Sequence, residues 1–146
     1  QMSRWARDRF GASGLSLVDH SGLSDRSRIS AGDMVKVLIK AREGTELYAL
    51  LKDIKMRNAK GNLAQSAPTG FRAKTGTLNF VAGLGGYVTT ASGRELAFAI
   101  FSADRTRRAL IPVAQRERPK GASSWNRRAK LLQYKMLNRW CHKYRS

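Results

Sequence analysis

The clearest pattern in the chain is a series of three strand-like runs in its second half. They cover Phe71–Leu78, Phe80–Thr90 and Glu95–Ser102. Between the last two runs, Ala91–Arg94 has the composition of a hairpin turn, in which Gly93 takes a positive φ at little cost. The pattern therefore predicts a three-strand antiparallel meander. Because the third run is apolar on both faces, we expect it to be central and covered on both sides.

Glycines crowd the second run at positions 83, 85 and 86. Closely spaced glycines in a strand predict a bulge, or a helix packed tightly against the sheet. The preceding residues 55–70 are polar and contain glycine and proline, so they are predicted to form a loop.

Helical periodicity occupies the first third of the chain. A short helix is predicted over residues 2–10, ending at Gly11. Ser30 is placed to cap a second helix, whose apolar stripe contains Met34, Val35, Leu38 and Ile39 and which Gly44 ends. Thr45 is placed to cap a third helix reaching about Ile54, with Leu47, Leu50 and Leu51 buried.

A long helix is predicted at the C-terminal end, over residues 123–144. Ser123 or Ser124 would cap it, and its inward stripe would consist of Trp125, Ala129, Leu132, Met136 and Trp140, with Leu137 and Cys141 beside it. Helices without βαβ alternation around an antiparallel meander define the α+β class. With 146 residues, the chain is long enough for one domain with a core.

Composition adds one strong signal, a formal net charge of +18. After residue 104 the only acidic residue is Glu117, and the basic residues fall in a linker, 105–122, and in the C-terminal helix. Such a charge attracts polyanions and anionic surfaces. No RNP strand, zinc finger or bZIP pattern accompanies it, so nucleic acid is not an expected partner, and a solvated basic surface is the simpler interpretation.

The other reactive side chains give little indication of a catalytic or metal-binding function. Cys141 falls among apolar helix positions, which indicates a buried structural thiol. His20 and His142 have no readable serine and acid partners. No Cys/His spacing is typical of a zinc site, so we expect no metal and no cofactor. No apolar run approaches the roughly 20 residues of a membrane helix.

The first strand-like run carries the most informative chemistry, the sequence Lys74-Thr75-Gly76. Lysine supplies a positive charge, threonine a hydroxyl donor, and glycine leaves room for another backbone. Such a strand could hold an extended peptide that ends in a carboxylate by adding it to the sheet edge. As a bare tripeptide, however, the motif is weak and also occurs by chance.

The context of the motif strengthens it. The run from Ala73 to Asp104 resembles the third-motif region of serine D-alanyl-D-alanine carboxypeptidases/endopeptidases of the penicillin-binding-protein 4 type. Upstream, Leu17-Val18-Asp19-His20-Ser21-Gly22-Leu23-Ser24 is similar to the Asp-Gly-Ser-Gly-Leu-Ser segment of that family, with His20 in place of the first glycine. The resemblance covers most of residues 15–104. It implies a penicillin-binding-protein/β-lactamase-like transpeptidase fold, here incomplete, in which the first strands of the sheet are missing and the third strand's outer edge is unpaired.

The resemblance also implies roles for four residues. Lys74 would hold positive potential beside the nucleophile and the substrate carboxylate, and Thr75 would hydrogen-bond that carboxylate. Gly76 would let the substrate backbone approach, and the N–H of Thr77 would be one of two oxyanion-hole donors. The expected partners are peptidoglycan stem peptides and β-lactams, with an anionic envelope polymer as a further candidate.

The family's nucleophile motif, Ser-x-x-Lys, is missing, because no serine here has a lysine three positions later. One Ser-x-Asn exists, Ser124-Trp125-Asn126, but it follows Lys-Thr-Gly and coincides with a helix start, so we interpret it as coincidental. We therefore expect residues 1–146 to be the C-terminal part of one D,D-peptidase domain, inactive by itself. Its parent would work in the periplasm or cell envelope, with an export signal upstream of Gln1.

Two alternatives remain open. The first is a basic polyanion-binding module without catalytic activity, which would use the linker and the C-terminal helix. The second is another penicillin-recognising enzyme, such as a β-lactamase, against which the Asp19–Ser24 segment argues.

Overall fold

The computed structural model describes residues 1–24, 26–58, 60, 62, 69–115, 117 and 119–144. Helices and strands follow the order α1 (Met2–Phe10), α2 (Ala31–Gly44), α3 (Leu47–Leu50), β1 (Lys52–Asp53), β2 (Thr69–Leu78), β3 (Val81–Thr89), β4 (Glu95–Ala103), α4 (Arg105–Ala109), a 3-10 turn (Val113–Gln115) and α5 (Ala122–Lys143). Half of the loop predicted over residues 55–70 lies outside the described residues, and its last two residues begin β2.

The predicted meander forms the sheet. In the described part of the chain, four antiparallel strands lie in the order β1-β2-β3-β4. Thr75 pairs with Leu84, which in turn pairs with Ile100. The β3–β4 turn closes at Thr90, whose N–H donates to the carbonyl of Arg94 at 2.8 Å, and Gly93 has a φ of 83°. The α+β class and the meander are thus confirmed, with the short β1 added.

Side-chain alternation along the strands gives the sheet two covered faces. On one face, Phe71, Leu84 and Ile100 form a buried core with Leu137 and Cys141 of α5. On the other face lies α2, where Leu38 is buried. The Tyr87 hydroxyl donates to the backbone carbonyl of Leu38, which fastens α2 to β3.

The predicted cap of α2 is present, and the Ser30 Oγ accepts the N–H of Asp33 at 2.9 Å. The predicted stripe is partly wrong, because Ile39 is 58% exposed. Leu38 is buried, as predicted, and Ala41, which was not predicted, is buried with it. At the other end of α2, Arg42 binds Glu95 of β4 at 2.7 Å and stacks 3.7 Å from the ring centroid of Tyr48.

The third predicted helix is wrong beyond its first turn. α3 ends at Leu50, which is 75% exposed. Lys52 and Asp53 then pair with Ala73 and Arg72 as β1. Strand pairing has overridden the local helical periodicity, since a four-residue helix gains little from its own hydrogen bonds.

The C-terminal helix begins one residue before its predicted start, and no serine caps it. Gly121, with a φ of 82°, occupies the N-cap position, and the Ser124 hydroxyl donates to the Gly121 carbonyl instead. Leu132, expected inside, is 54% exposed. The buried positions are Ala122, Ala129, Gln133, Leu137 and Cys141, most of them four residues apart, so Gln133 takes the place assigned to leucine.

The expectation that the third meander strand is central is also wrong. β4 is the last strand of the described sheet, and Phe101 on it is 43% exposed. Among the described residues, no strand pairs with its outer edge, as the family resemblance implied. The linker also contains structure of its own, namely α4 and the 3-10 turn.

Candidate active site

The second half of β2 presents backbone groups along an uncovered edge. Among the described residues, β1 is the strand that pairs with β2 on this side, and it does so only at Arg72 and Ala73. The Phe71 carbonyl accepts the N–H of Ile54 at 2.8 Å and so points toward this side. Backbone polar groups of a strand alternate in direction, so those of Thr75 and Thr77 point the same way. We call Lys74–Leu78 the open edge.

Side chains of the Lys-Thr-Gly run lie on both faces of the sheet. Lys74 pairs with Gly85, beside α2, and its exposed ammonium donates to the Thr75 carbonyl at 2.6 Å. Thr75, half-buried, and Thr77, exposed, lie on the α5 face. The motif thus places a cation on one side of the open edge and two hydroxyls on the other.

Gly76 is exposed, and the fold does not require a glycine there. Its φ is not positive, and a Cβ built on it would meet no described atom within 4 Å. Gly86 is the opposite case, since its Cβ would lie 2.2 Å from the Arg72 carbonyl oxygen. Internal packing therefore explains the glycine at position 86 but not the one at position 76.

Beneath the open edge lies a cavity of about 730 Å³, which we call the edge cavity. Thr75 and Thr77 form its strand side. Arg127 and Lys130 of α5 form the facing side, and Glu117 contributes the one acidic side chain among the lining residues described. Volumes between about 300 and 1,000 Å³ are typical of small-molecule sites.

Two carboxamides of α5 tie the helix to the strands that form the edge cavity. The Nδ2 of Asn126 donates to the Leu78 carbonyl at 3.0 Å, and the Nε2 of Gln133 donates to the Ala82 carbonyl at 3.0 Å. The sequence interpretation missed both roles, because Asn126 was assigned to a coincidental Ser-x-Asn. Gln133 did leave a signal, since it falls four residues from Ala129 and from Leu137.

The other residues that the sequence analysis considered do not form a catalytic group in the described part of the chain. Asp19 closes a turn by accepting the Ser21 hydroxyl at 2.8 Å, which lowers the pKa of its carboxyl group. His20 and His142 are exposed. Cys141 is buried, as predicted, and burial raises the pKa of its thiol. No acid–base pair forms around either histidine among the described side chains.

Within the described ranges, no cluster of three or more His, Cys, Asp or Glu side chains is arranged to hold a metal ion. None of the helices in the described part of the chain has the length and hydropathy to cross a bilayer.

The fold is that of solved penicillin-binding peptidases. Penicillin-binding protein 4 from Haemophilus influenzae, solved with a β-lactam, superposes with a TM-score of 0.60 at 20% identity, covering 92% of this chain and 32% of that one. A predatory endopeptidase from Bdellovibrio bacteriovorus, solved with an immunity protein, gives a TM-score of 0.59 at 18% identity, covering 94% of this chain and 36% of that one.

Sequence comparison identifies the family. Residues 9–125 match the D-Ala-D-Ala carboxypeptidase 3 (S13) family, and the chain belongs to it. The carboxypeptidase DacB of Mycolicibacterium smegmatis is 36% identical over 101 residues, which cover 62% of this chain and 22% of that protein. The predicted family resemblance is therefore confirmed. The chain spans only about a fifth of this curated relative and about a third of the solved structures.

Proposed function

We propose that this chain is the C-terminal part of one D,D-peptidase domain, whose parent is a serine-type D-Ala-D-Ala carboxypeptidase/endopeptidase acting on peptidoglycan peptides. The parent would act in the periplasm or cell envelope and would also bind β-lactams. The observation that carries the proposal is the open edge, where backbone groups of Thr75 and Thr77 point outward beside the exposed Lys74.

An extended peptide can add to this edge as a further antiparallel strand. Gly76 favours that approach, because its position has room for a neighbouring backbone. The terminal carboxylate would accept a hydrogen bond from the Thr75 hydroxyl, within the positive field of Lys74. Bonds to a charged acceptor are stronger than neutral ones, at about 1.5–3 kcal/mol each.

In the reaction, a serine hydroxyl attacks the carbonyl between the two D-alanines, and its proton passes to the departing amine. The carbonyl oxygen carries negative charge in the tetrahedral intermediate, which the N–H of Thr77 would stabilise. One such donor typically contributes about 3–4 kcal/mol to the transition state. The C–N bond then breaks, the terminal D-alanine leaves, and water hydrolyses the acyl-enzyme.

The chain has no Ser-x-x-Lys, so we propose that it binds the peptide without cleaving it. Incubated with a fluorescent penicillin or a D-Ala-D-Ala peptide, the isolated chain should show neither covalent labelling nor hydrolysis. Labelling would mean that the chain contains a nucleophile of its own. Our proposal that the chain only binds the peptide would then be wrong.

Binding is the positive test. By calorimetry, diacetyl-L-lysyl-D-alanyl-D-alanine should bind the chain, and Thr75→Val should weaken binding about tenfold or more through loss of a charged hydrogen bond. The matched control is Thr106→Val on the exposed surface of α4. Equal affinities for the two variants would contradict the role of Thr75.

A second candidate, binding of an anionic envelope polymer, is favoured by the outer face of α5. Lys135, Arg139 and Lys143 are exposed and four residues apart, so they form a basic row about 12 Å long. Binding to such a polymer should weaken steeply with salt, with a log–log slope of about −2 to −3 for three contacts. A variant in which Lys135, Arg139 and Lys143 are all replaced by glutamine should lose that salt dependence. Binding of the unsubstituted chain that does not change with salt would rule out this second candidate function.

A further inference from the structure

A second cleft lies between the end of α1 and the last turns of α2. Arg9 and Phe10 line it from α1, and Lys40 and Glu43 line it from α2. Its volume is about 380 Å³, and it shares no lining residue with the edge cavity. We call it the α1–α2 cleft. The reaction proposed above places no group there, so the cleft is open to a different ligand.

An aromatic pair stands at the rim of the α1–α2 cleft. Trp5 is 61% exposed, whereas the other two tryptophans are half-buried. Phe10 packs against the buried cluster of Ala6, Ala12 and Leu15, and the Trp5 ring meets the Phe10 ring edge-on, with the centroids 5.6 Å apart. This contact restrains the indole although water reaches it. Trp5 therefore offers a large flat apolar surface that the core does not use.

Charged side chains of both signs line the same cleft. Arg9 and Lys40 can only donate hydrogen bonds, and the Glu43 carboxylate can only accept them. No ion pair joins any of the three to a residue that the structure describes. The Lys40 ammonium lies 3.8 Å from the place that a Cβ of Gly11 would occupy, so it reaches from α2 to the end of α1. Donors and an acceptor are thus both available around one small volume.

A flat apolar ring beside mixed donors and acceptors suits a carbohydrate. The C–H face of a β-linked pyranose packs on an indole, because the face of the aromatic ring is electron-rich. The hydroxyl groups at the rim of the sugar both donate and accept. A simple anion fits less well, since Glu43 would repel it, and a purely apolar ligand would leave the charged groups desolvated without partners. The cleft therefore favours a neutral ligand with many hydroxyl groups.

We propose that the α1–α2 cleft binds a β-1,4-linked amino-sugar chain, with Trp5 stacked on one sugar ring and the charged side chains bonded to its hydroxyl and acetamido groups. The choice of an amino sugar rests on the function proposed above, because peptidoglycan peptides are attached to such a chain. The inference deepens that function, since the protein would hold the glycan at one surface and the peptide at the open edge.

The test titrates the ¹⁵N-labelled full chain with tetra-N-acetylchitotetraose, which carries the amino sugar and no peptide. Among the tryptophan indole N–H signals, that of Trp5 should shift most. Trp5→Ala should weaken binding about tenfold or more, and Trp5→Phe should weaken it less because an aromatic ring remains. Glu43→Gln should weaken binding about threefold through loss of a charged acceptor. Affinity for diacetyl-L-lysyl-D-alanyl-D-alanine should not change in any of these variants.

The matched control is Leu50→Ala, which removes an apolar side chain that is 75% exposed on α3. Melting temperatures of all variants verify folding. If Trp5→Ala binds chitotetraose as Leu50→Ala does, or if the unsubstituted chain does not bind it, the inference is wrong, and the proposed function stands as long as the D-Ala-D-Ala peptide binds. If chitotetraose binds through Trp5 and the peptide does not bind, the proposed function fails and the cleft remains a glycan site.

A further arm separates a glycan from a lipid surface. Vesicles of phosphatidylglycerol are sedimented with the unsubstituted chain and with Trp5→Ala. We expect the two to bind the vesicles equally. Loss of vesicle binding in Trp5→Ala, together with no binding of chitotetraose, would make this surface a membrane contact and overturn the inference.

Discussion

Gly86→Ala tests how closely β2 and β3 must approach for the candidate site to exist. Gly86 pairs with Ala73, the residue before Lys74. A Cβ at position 86 would lie 2.2 Å from the Arg72 carbonyl oxygen and 2.6 Å from the Ala73 Cα. Both contacts are to backbone, so no side chain can rotate away. The strands would have to separate by roughly an ångström to reach ordinary contact distances.

Overpacking of this kind lowers the free energy of unfolding by about 1–3 kcal/mol and occasionally by more. Because the obstruction is backbone, we expect the free energy of unfolding to fall by about 3 kcal/mol or more. For a chain of this size, that corresponds to a loss of about 6–12 °C in melting temperature. Displacing β2 should also weaken binding of the D-Ala-D-Ala peptide, since Thr75 lies two residues from Ala73.

Urea denaturation followed by circular dichroism measures the change. Gly83→Ala is the matched control in the same strand, because its Cβ would meet its nearest atoms at 3.6 Å, an ordinary contact. We expect the control to change the unfolding free energy by less than about 1 kcal/mol. Equal destabilisation of the two variants would refute the close-approach argument.

Three further predictions concern the site, the cap of α2 and the thiol. Gly76→Ala should leave the melting temperature unchanged, because its Cβ meets no described atom within 4 Å, yet weaken peptide binding about tenfold; unchanged affinity would contradict a backbone approach at that position. Asp33 has a lowered pKa, chiefly through its hydrogen bond with Lys36, so its stabilising effect should be complete above about pH 4 and be lost at lower pH. In acid unfolding, Asp33→Asn should remove this loss of stability at low pH, whereas the control Asp8→Asn, at an exposed position, should retain it. Identical pH profiles for the two variants would contradict the role of Asp33. Cys141, buried and with a raised pKa, should react with an aromatic disulfide reagent only after unfolding, and rapid reaction of the folded chain would show that the thiol is accessible.

The sheet could be predicted because its signals are local. Each strand-like run has strand composition along its own length, and Gly93 marks the connecting turn, so the three main strands fall within two residues of their predicted bounds. β1 could not be predicted in this way. Lys52 and Asp53 carry no strand pattern, and they form a strand only because the edge of β2 is beside them.

The candidate site likewise has one part that the sequence could predict and one part that it could not. Lys74, Thr75 and Gly76 are adjacent in sequence, so the motif was visible before the structure was known. The α5 side of the edge cavity was not, because Asn126 and Arg127 are about 50 residues away and reach the strand only through helix packing. The spacing of Gln133 from Ala129 and Leu137 was visible in the sequence, but its hydrogen-bond partner was not, since a backbone carbonyl has no sequence signature.

The most direct test of the central claim is amide mapping on the ¹⁵N-labelled chain titrated with diacetyl-L-lysyl-D-alanyl-D-alanine. If the open edge receives the peptide as an added strand, the largest chemical-shift changes will fall on the backbone N–H groups of Thr75 and Thr77, and the side-chain amide of Asn126 will shift with them. Changes confined to the Lys135–Lys143 face of α5, or no changes at all, would contradict the account.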